Sequence, residues 1–218
     1  MYKKVGVVGL GLIGGSLCKA LRSRCNVKEI VASNRSEDVL ISAKSEGVID
    51  DYCLGITDIF KGCEIVFICT PVDKIFDYAK QLAPIVGKDC IISDVGSTKG
   101  RIYDEMSTLG DAITYIGGHP MAGSERFRYN ASKEHLFENA YYIITPSENV
   151  PEQKTAEFKQ MVEKIGAIPI ILSHISALED AILVMSLNPP AARRCIYSSF
   201  ESSFFTLLTR AAAIICGT

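Results

Sequence analysis

The sequence predicts a doubly wound α/β fold with a mostly parallel, Rossmann-like sheet. Strand-like runs alternate with helix-length stretches along the chain, a spacing that joins parallel strands through helical crossovers. The strand-like runs are almost continuously apolar, as expected where helices cover both faces of a sheet. A glycine-rich turn also joins the first strand to the first helix.

Residues 4–8 read as a short buried strand, and a helix from about Ile13 to Ser23 follows the glycine turn. Glu29 to Ser33 is the second strand. Ser36 to Glu46 is helical, with Ser36 suited to cap it. Glu64 to Cys69 is rich in β-branched residues and is ended by Thr70 and Pro71. Helix is predicted over Lys74–Ile85 and strand over Cys90–Asp94. Gly100 to Leu109 is helical, and Thr114 to Ile116 forms a short strand. Strand is predicted at Tyr141–Thr145, helix at Pro151–Ile165 and a last strand at Ile168–Leu172. The division expected is a dinucleotide-binding domain over 1–173 and a partial helical domain or divergent tail over 174–218. The second stretch carries Pro189-Pro190, crowded phenylalanines and an apolar end at Ala211–Cys216.

Composition narrows the function classes. Of 218 residues, 48% are hydrophobic and 22% charged, ordinary for a soluble globular protein. A net charge of −2 gives no electrostatic case for nucleic acid or an anionic membrane. No apolar run reaches the roughly 18 residues that a bilayer requires. Gly6, Gly9, Gly11, Gly14 and Gly15 interrupt the apolar start and argue against an export signal. None of the eight cysteines forms a C-x-x-C pair, and no histidine stands at zinc spacing. Reduced, mostly buried thiols in a cytoplasmic protein without a metal are expected.

Gly9-Leu10-Gly11-Leu12-Ile13-Gly14 matches G-x-G-x-x-G between a strand and a helix, a context that favours dinucleotide binding over an unliganded turn. Gly9 permits the turn, Gly11 admits a pyrophosphate close to backbone, and Gly14 lets the helix approach the sheet. The helix N-terminus then supplies free N–H groups and a positive dipole end. After the second strand, where NAD enzymes place Asp or Glu, the chain reads Ser33-Asn34-Arg35-Ser36. Arg35 suits a 2′-phosphate and favours NADP, while Asn34 still suits NAD; Arg35 could equally be a solvated surface charge.

Ligands of open parallel sheets lie beyond the carboxyl ends of the strands. Thr70 and Pro71 should therefore border the cofactor, although Pro71 would also simply end the strand. Ser97, in Asp94-Val95-Gly96-Ser97-Thr98-Lys99-Gly100, offers a hydroxyl to a nicotinamide, a substrate or His119, and its position also suits a helix cap. Lys99 could attract a carboxylate. His119 follows a short strand, between Gly118 and Pro120, and a neutral imidazole accepts a hydroxyl proton near pH 7. His135 reads as a surface residue in a polar, helix-like run, and His174 has no comparable context.

Three segments, Val8–Ser16, Asp94–Gly100 and Gly117–Glu125, give the chain a resemblance to prephenate dehydrogenase and the related arogenate dehydrogenase, from residue 1 to about 180. The last of them, Gly-Gly-His-Pro-Met-Ala-Gly-Ser-Glu, is the most specific. The resemblance implies NAD(P)-dependent oxidative decarboxylation of prephenate to 4-hydroxyphenylpyruvate in tyrosine biosynthesis. It implies His119 as hydrogen acceptor, Ser97 as its partner, Ser124 as a further substrate contact, and a homodimer formed through a C-terminal helical domain.

The departures from the family are specific. Arg128 stands where the family has glycine, and Ser186-Leu187-Asn188-Pro189-Pro190 lacks both histidines of Ser-His-x-Pro-His. Arg210 is a faint echo of the family's carboxylate-binding arginine. A truncation or frameshift after about residue 175 would account for a chain ending roughly a hundred residues short of a domain of typical size. Two functions follow: a dehydrogenase of prephenate or arogenate, or a dinucleotide-binding module lacking its substrate-closing domain. The 117–125 segment speaks against a reductase of small carbonyl or imine substrates.

Overall fold

A computed structural model describes residues 2–123 and 128–172. Strands and helices alternate in the order β1 Lys4–Val8, α1 Leu12–Arg24, β2 Glu29–Ser33, α2 Glu37–Ser45, β3 Asp51–Cys53, β4 Ile65–Ile68, α3 Val72–Val86, β5 Ile91–Asp94, α4 Lys99–Ser107, β6 Thr114–Pro120, β7 Tyr141–Pro146, α5 Glu152–Lys164 and β8 Ile168–Ile171. The sheet order is β3-β2-β1-β4-β5-β6-β7-β8. Every pair is parallel except β6 and β7, which run antiparallel with His119 opposite Ile143. The architecture is the expected Rossmann-like one. The antiparallel pair departs from uniform alternation, because apolar periodicity carries no information on strand direction.

Two layers of helix cover the sheet, as the apolar strands require. Leu17, Cys18 and Leu21 of α1, Leu40 of α2, and Phe158 and Val162 of α5 are buried on one face. Ile75, Ala79 and Leu82 of α3 with Ile102 and Met106 of α4 are buried on the other. The change of winding direction falls between β1 and β4, whose neighbours lie on opposite sides. That point defines the crevice outside the carboxyl ends of the strands.

Three local expectations change. β6 runs on through Gly117, Gly118, His119 and Pro120 rather than stopping at Ile116. Ser36 occupies the cap position of α2, but its side chain makes no capping hydrogen bond. Residues 134–139 form turns, not helix, although His135 is exposed as expected. The cysteines among the described residues are free thiols, with Cys18, Cys25, Cys63 and Cys90 buried. Burial pushes the Cys18 and Cys63 thiols up to about 12. The segment expected over 174–218 lies outside the described residues, as does Ser124.

The β6–β7 connection returns onto α1. A Cβ on Gly15 would meet Tyr129 Cδ2 at 2.8 Å, and Ser16 Oγ accepts the Lys133 N–H at 2.9 Å. Just before this contact, Arg128 adopts φ 82° and ψ 167°, a region open in practice to glycine alone. Such a conformation costs about 1–3 kcal/mol, more than the roughly 0.5–1 kcal/mol entropic cost of glycine. Arg128→Gly should therefore stabilise the chain by about 1 kcal/mol. A denaturant midpoint that stays unchanged or falls would contradict this.

Candidate functional site

Parallel pairing gathers the sequence-predicted residues at one edge of the sheet. The loops after β1, β2, β4 and β5 carry Gly9–Gly14, Asn34 and Arg35, Thr70 and Pro71, and Ser97, and the end of β6 carries His119. β6 lies two strands from β4, about 10 Å at ordinary strand spacing.

The glycine turn meets the requirements of a pyrophosphate cradle. Gly9 has φ +96°, and its N–H donates to Ser33 O at 2.7 Å. A Cβ on Gly14 would lie 2.0 Å from Gly9 O and 3.1 Å from Cys69 Cβ, so only glycine permits this approach of α1 to the sheet. A Cβ on Gly11 would instead meet nothing within 4 Å among the described residues, so these leave open space over the turn. The first turn of α1 carries no acidic residue, which leaves its N–H groups and dipole favourable to an anion. Leu12 and Ile13 are partly buried at that helix start.

Asn34 braces the turn. Its Oδ1 accepts the Leu10 N–H at 3.3 Å, and its Nδ2 donates to Ser36 O at 3.2 Å. Arg35 and Pro71 are exposed, and Thr70 is partly buried against Gly9. Ser97 is exposed at the carboxyl end of β5. The cap position of α4 belongs to Thr98, so the capping role considered for Ser97 does not hold.

Below His119 lies a buried polar cluster. Asp94, fully buried, accepts from Gly96 N at 2.8 Å, Tyr115 Oη at 2.8 Å and Lys99 Nζ at 2.5 Å. Lys99 is only 6% exposed, so the carboxylate it attracts is Asp94 rather than a ligand's. Burial lowers the Lys99 pKa, with Asp94 pulling it back up. Burial raises the Tyr115 phenol, and the Asp94 charge raises it further.

Tyr115, Gly117 and His119 alternate along β6 and so share one face of the sheet. A Cβ on Gly117 would meet Thr145 Oγ1 at 2.3 Å, Tyr115 Oη at 3.0 Å and Lys99 Cδ at 3.4 Å. A Cβ on Gly118 would meet Asp94 O at 2.7 Å and Tyr142 Oη at 2.8 Å. The double glycine lets β6 close over the cluster. Among the described residues the buried Tyr142 hydroxyl has no hydrogen-bond partner. The apolar strand ending at Asp94 was the one sign of a buried carboxylate in the sequence; neither Lys99 nor Tyr142 was marked as its neighbour.

His119 is partly buried, and its pKa falls to about 4: burial comes first, then the Lys99 charge, against an upward pull from Asp94. The imidazole is therefore neutral at physiological pH. Among the described residues, no group of three or more His, Cys, Asp or Glu is arranged to hold a metal ion. No described helix is long and apolar enough to cross a membrane.

The model of the prephenate dehydrogenase nucleotide-binding domain matches residues 17–171. The Bacillus subtilis prephenate dehydrogenase is 31% identical, over 98% of this chain and 61% of that protein. This chain spans about three fifths of the length of the first curated relatives it matches. Synechocystis arogenate dehydrogenase superposes with a TM-score of 0.76 at 26% identity, covering 95% of this chain and 74% of that one. The A. aeolicus prephenate dehydrogenase, solved with hydroxyphenyl propionate and NAD+, gives 0.75 at 25% identity, covering 96% and 78%.

The depressed histidine has a consequence for stability. Between pH 6.5 and about 4 the unfolded chain binds a proton at His119 that the folded protein does not. This contribution therefore falls as pH drops through that window, by on the order of 3 kcal/mol. His119→Asn should lose less stability over the same range. Equal slopes for both proteins in denaturant unfolding would contradict the assignment.

Proposed function

The chain belongs to the prephenate dehydrogenase family, and from that premise we propose that it serves NAD(P)-dependent oxidative decarboxylation of prephenate, with arogenate as the alternative substrate. The observation that carries the reading is the place of His119, partly buried at the sheet edge shared with the Gly9–Gly14 turn, where burial disfavours the charged imidazole. Pairing of two chains through residues beyond 173, and a cytoplasmic location, belong to the same reading.

Gly9, Leu10, Gly11, Leu12, Ile13 and Gly14 would hold the pyrophosphate at the start of α1. Asn34 and Arg35 would border the adenosine ribose, and Thr70 and Pro71 the middle of the dinucleotide. When bound, the nicotinamide supplies the hydride acceptor. His119 would take the proton of the ring hydroxyl as that carbon gives up its hydride; the electron pair left by the departing CO2 would make the ring an aromatic phenolate, which then recovers a proton. Ser97 orients the substrate hydroxyl beside His119, and Ser124 is a further proposed substrate contact. The 2′-phosphate of NADP suits the exposed Arg35, while the NAD+ held by the A. aeolicus relative suits the other assignment.

Both substrates should be offered to the full chain with both dinucleotides. Reduced nicotinamide should form, and His119→Asn should lower turnover about 10²–10⁴-fold with dinucleotide affinity unchanged. Normal turnover in that variant would remove His119 from the chemistry.

Arg35→Ala should weaken NADP binding roughly tenfold or more, a charge-assisted contact being worth about 1.5–3 kcal/mol, and leave NAD unaffected. Equal loss for the two dinucleotides would assign Arg35 to another role.

A further inference from the structure

The buried Lys99–Asp94 pair lies on the face of the sheet that carries His119, yet none of its atoms is assigned to the reaction. We propose that Lys99, fixed in place by Asp94, is a positioning residue that sets the charge of the His119 imidazole and keeps it a proton acceptor in the free protein. This rests on the reading of His119 as that acceptor.

The geometry supports the assignment in three ways. The Lys99 stem passes beside Gly117, two residues from His119 and on the same pleat face, about 7 Å along the strand. The ammonium cannot swing out to solvent, because Asp94 Oδ2 holds it and it is nearly sealed from water. A charge in such surroundings acts on its neighbours with little screening.

The opposing charge is Asp94 itself, but its oxygens are already taken by Gly96, Lys99 and Tyr115. Among the described residues, the remaining groups from the packed elements are neutral: the Tyr115 phenol on β6, the Tyr142 phenol on β7 and the Cys69 thiol after β4. Opposite His119 across the ladder stands Ile143. Among the described residues, the Lys99 cation is thus the group available to disfavour an imidazolium. The shift at His119 has the same sign, Lys99 acting with burial and Asp94 against it. A bound anionic substrate would counter the Lys99 charge, so the imidazole would gain basicity when its substrate arrives.

The test is an NMR titration of the histidine side chains in the full chain, which has three. The His119→Asn variant identifies the His119 resonance. Lys99→Met should raise the His119 pKa by about one unit or more, since it removes the repulsion and leaves Asp94 uncompensated. Asp94→Asn should leave it where it is or lower it. If Lys99→Met does not fold, the Asp94→Asn/Lys99→Met pair removes both charges, and His119 should still titrate above the unmodified protein.

Loosened packing alone would move His119 upward in every variant, Asp94→Asn included, and that result would overturn the proposal. So would an unmoved His119 in Lys99→Met or in the double variant. The acid limb of kcat/KM should follow the NMR shift. A limb that stays put while the NMR value moves would instead remove His119 from the reaction and leave the Lys99 assignment standing.

Discussion

The carboxylate of Asp94 is closed off from solvent at the end of β5 and accepts from Gly96, from Lys99 at the start of α4 and from Tyr115 on β6. A buried charge is tolerated only when paired and fully hydrogen-bonded. Breaking such a pair costs about 3–5 kcal/mol, although a well-packed apolar replacement of both partners is often neutral. The cluster is therefore poorly explained as a device for stability. Its effect is geometric: it fixes the β5–α4 loop, and with it Ser97, against the strand that bears His119.

That constraint works only because backbone can approach backbone. Gly14 lets α1 meet the turn at Gly9, and Gly117 and Gly118 let β6 close over Asp94, Lys99 and Tyr142. The two glycine pairs lie at the same edge of the sheet, one after β1 and one in β6, with β4 and β5 between. One prepares an anion site at a helix N-terminus. The other lets the strand that bears His119 pass close to a buried cation. Under the proposed function these two sites share a purpose, because a dehydrogenase needs a dinucleotide and a proton acceptor side by side.

Much of this was legible in the sequence, for physical reasons. Buried parallel strands must be apolar throughout, so β1, β2, β4 and β5 stand out within a residue or two of their ends, and the apolar runs of β7 and of the partly exposed β8 do so as well. β3 did not, because it is three residues long, without a buried residue. The end of β6 was hidden because glycine and proline read as loop, whereas here they sit in a strand that needs room beneath it. The direction of β7 was beyond reach of periodicity. At the site, motif spacing brought out the glycine turn, Ser97 and His119. The partnership of Lys99 with Asp94 was not legible: a lysine after a glycine-serine loop looks solvent-facing, and only the fold of the loop turns it inward.

The central claim is that the His119 imidazole faces the nicotinamide of a dinucleotide bound over the glycine turn. The most direct measurement is an intermolecular nuclear Overhauser effect between the His119 ring protons and the nicotinamide ring, in the full chain saturated with oxidised dinucleotide. The account predicts a cross-peak from His119 to the proton on the hydride-accepting carbon, absent in His119→Asn. Contacts of that proton with other side chains and none with His119, in a protein that binds the dinucleotide, would contradict it.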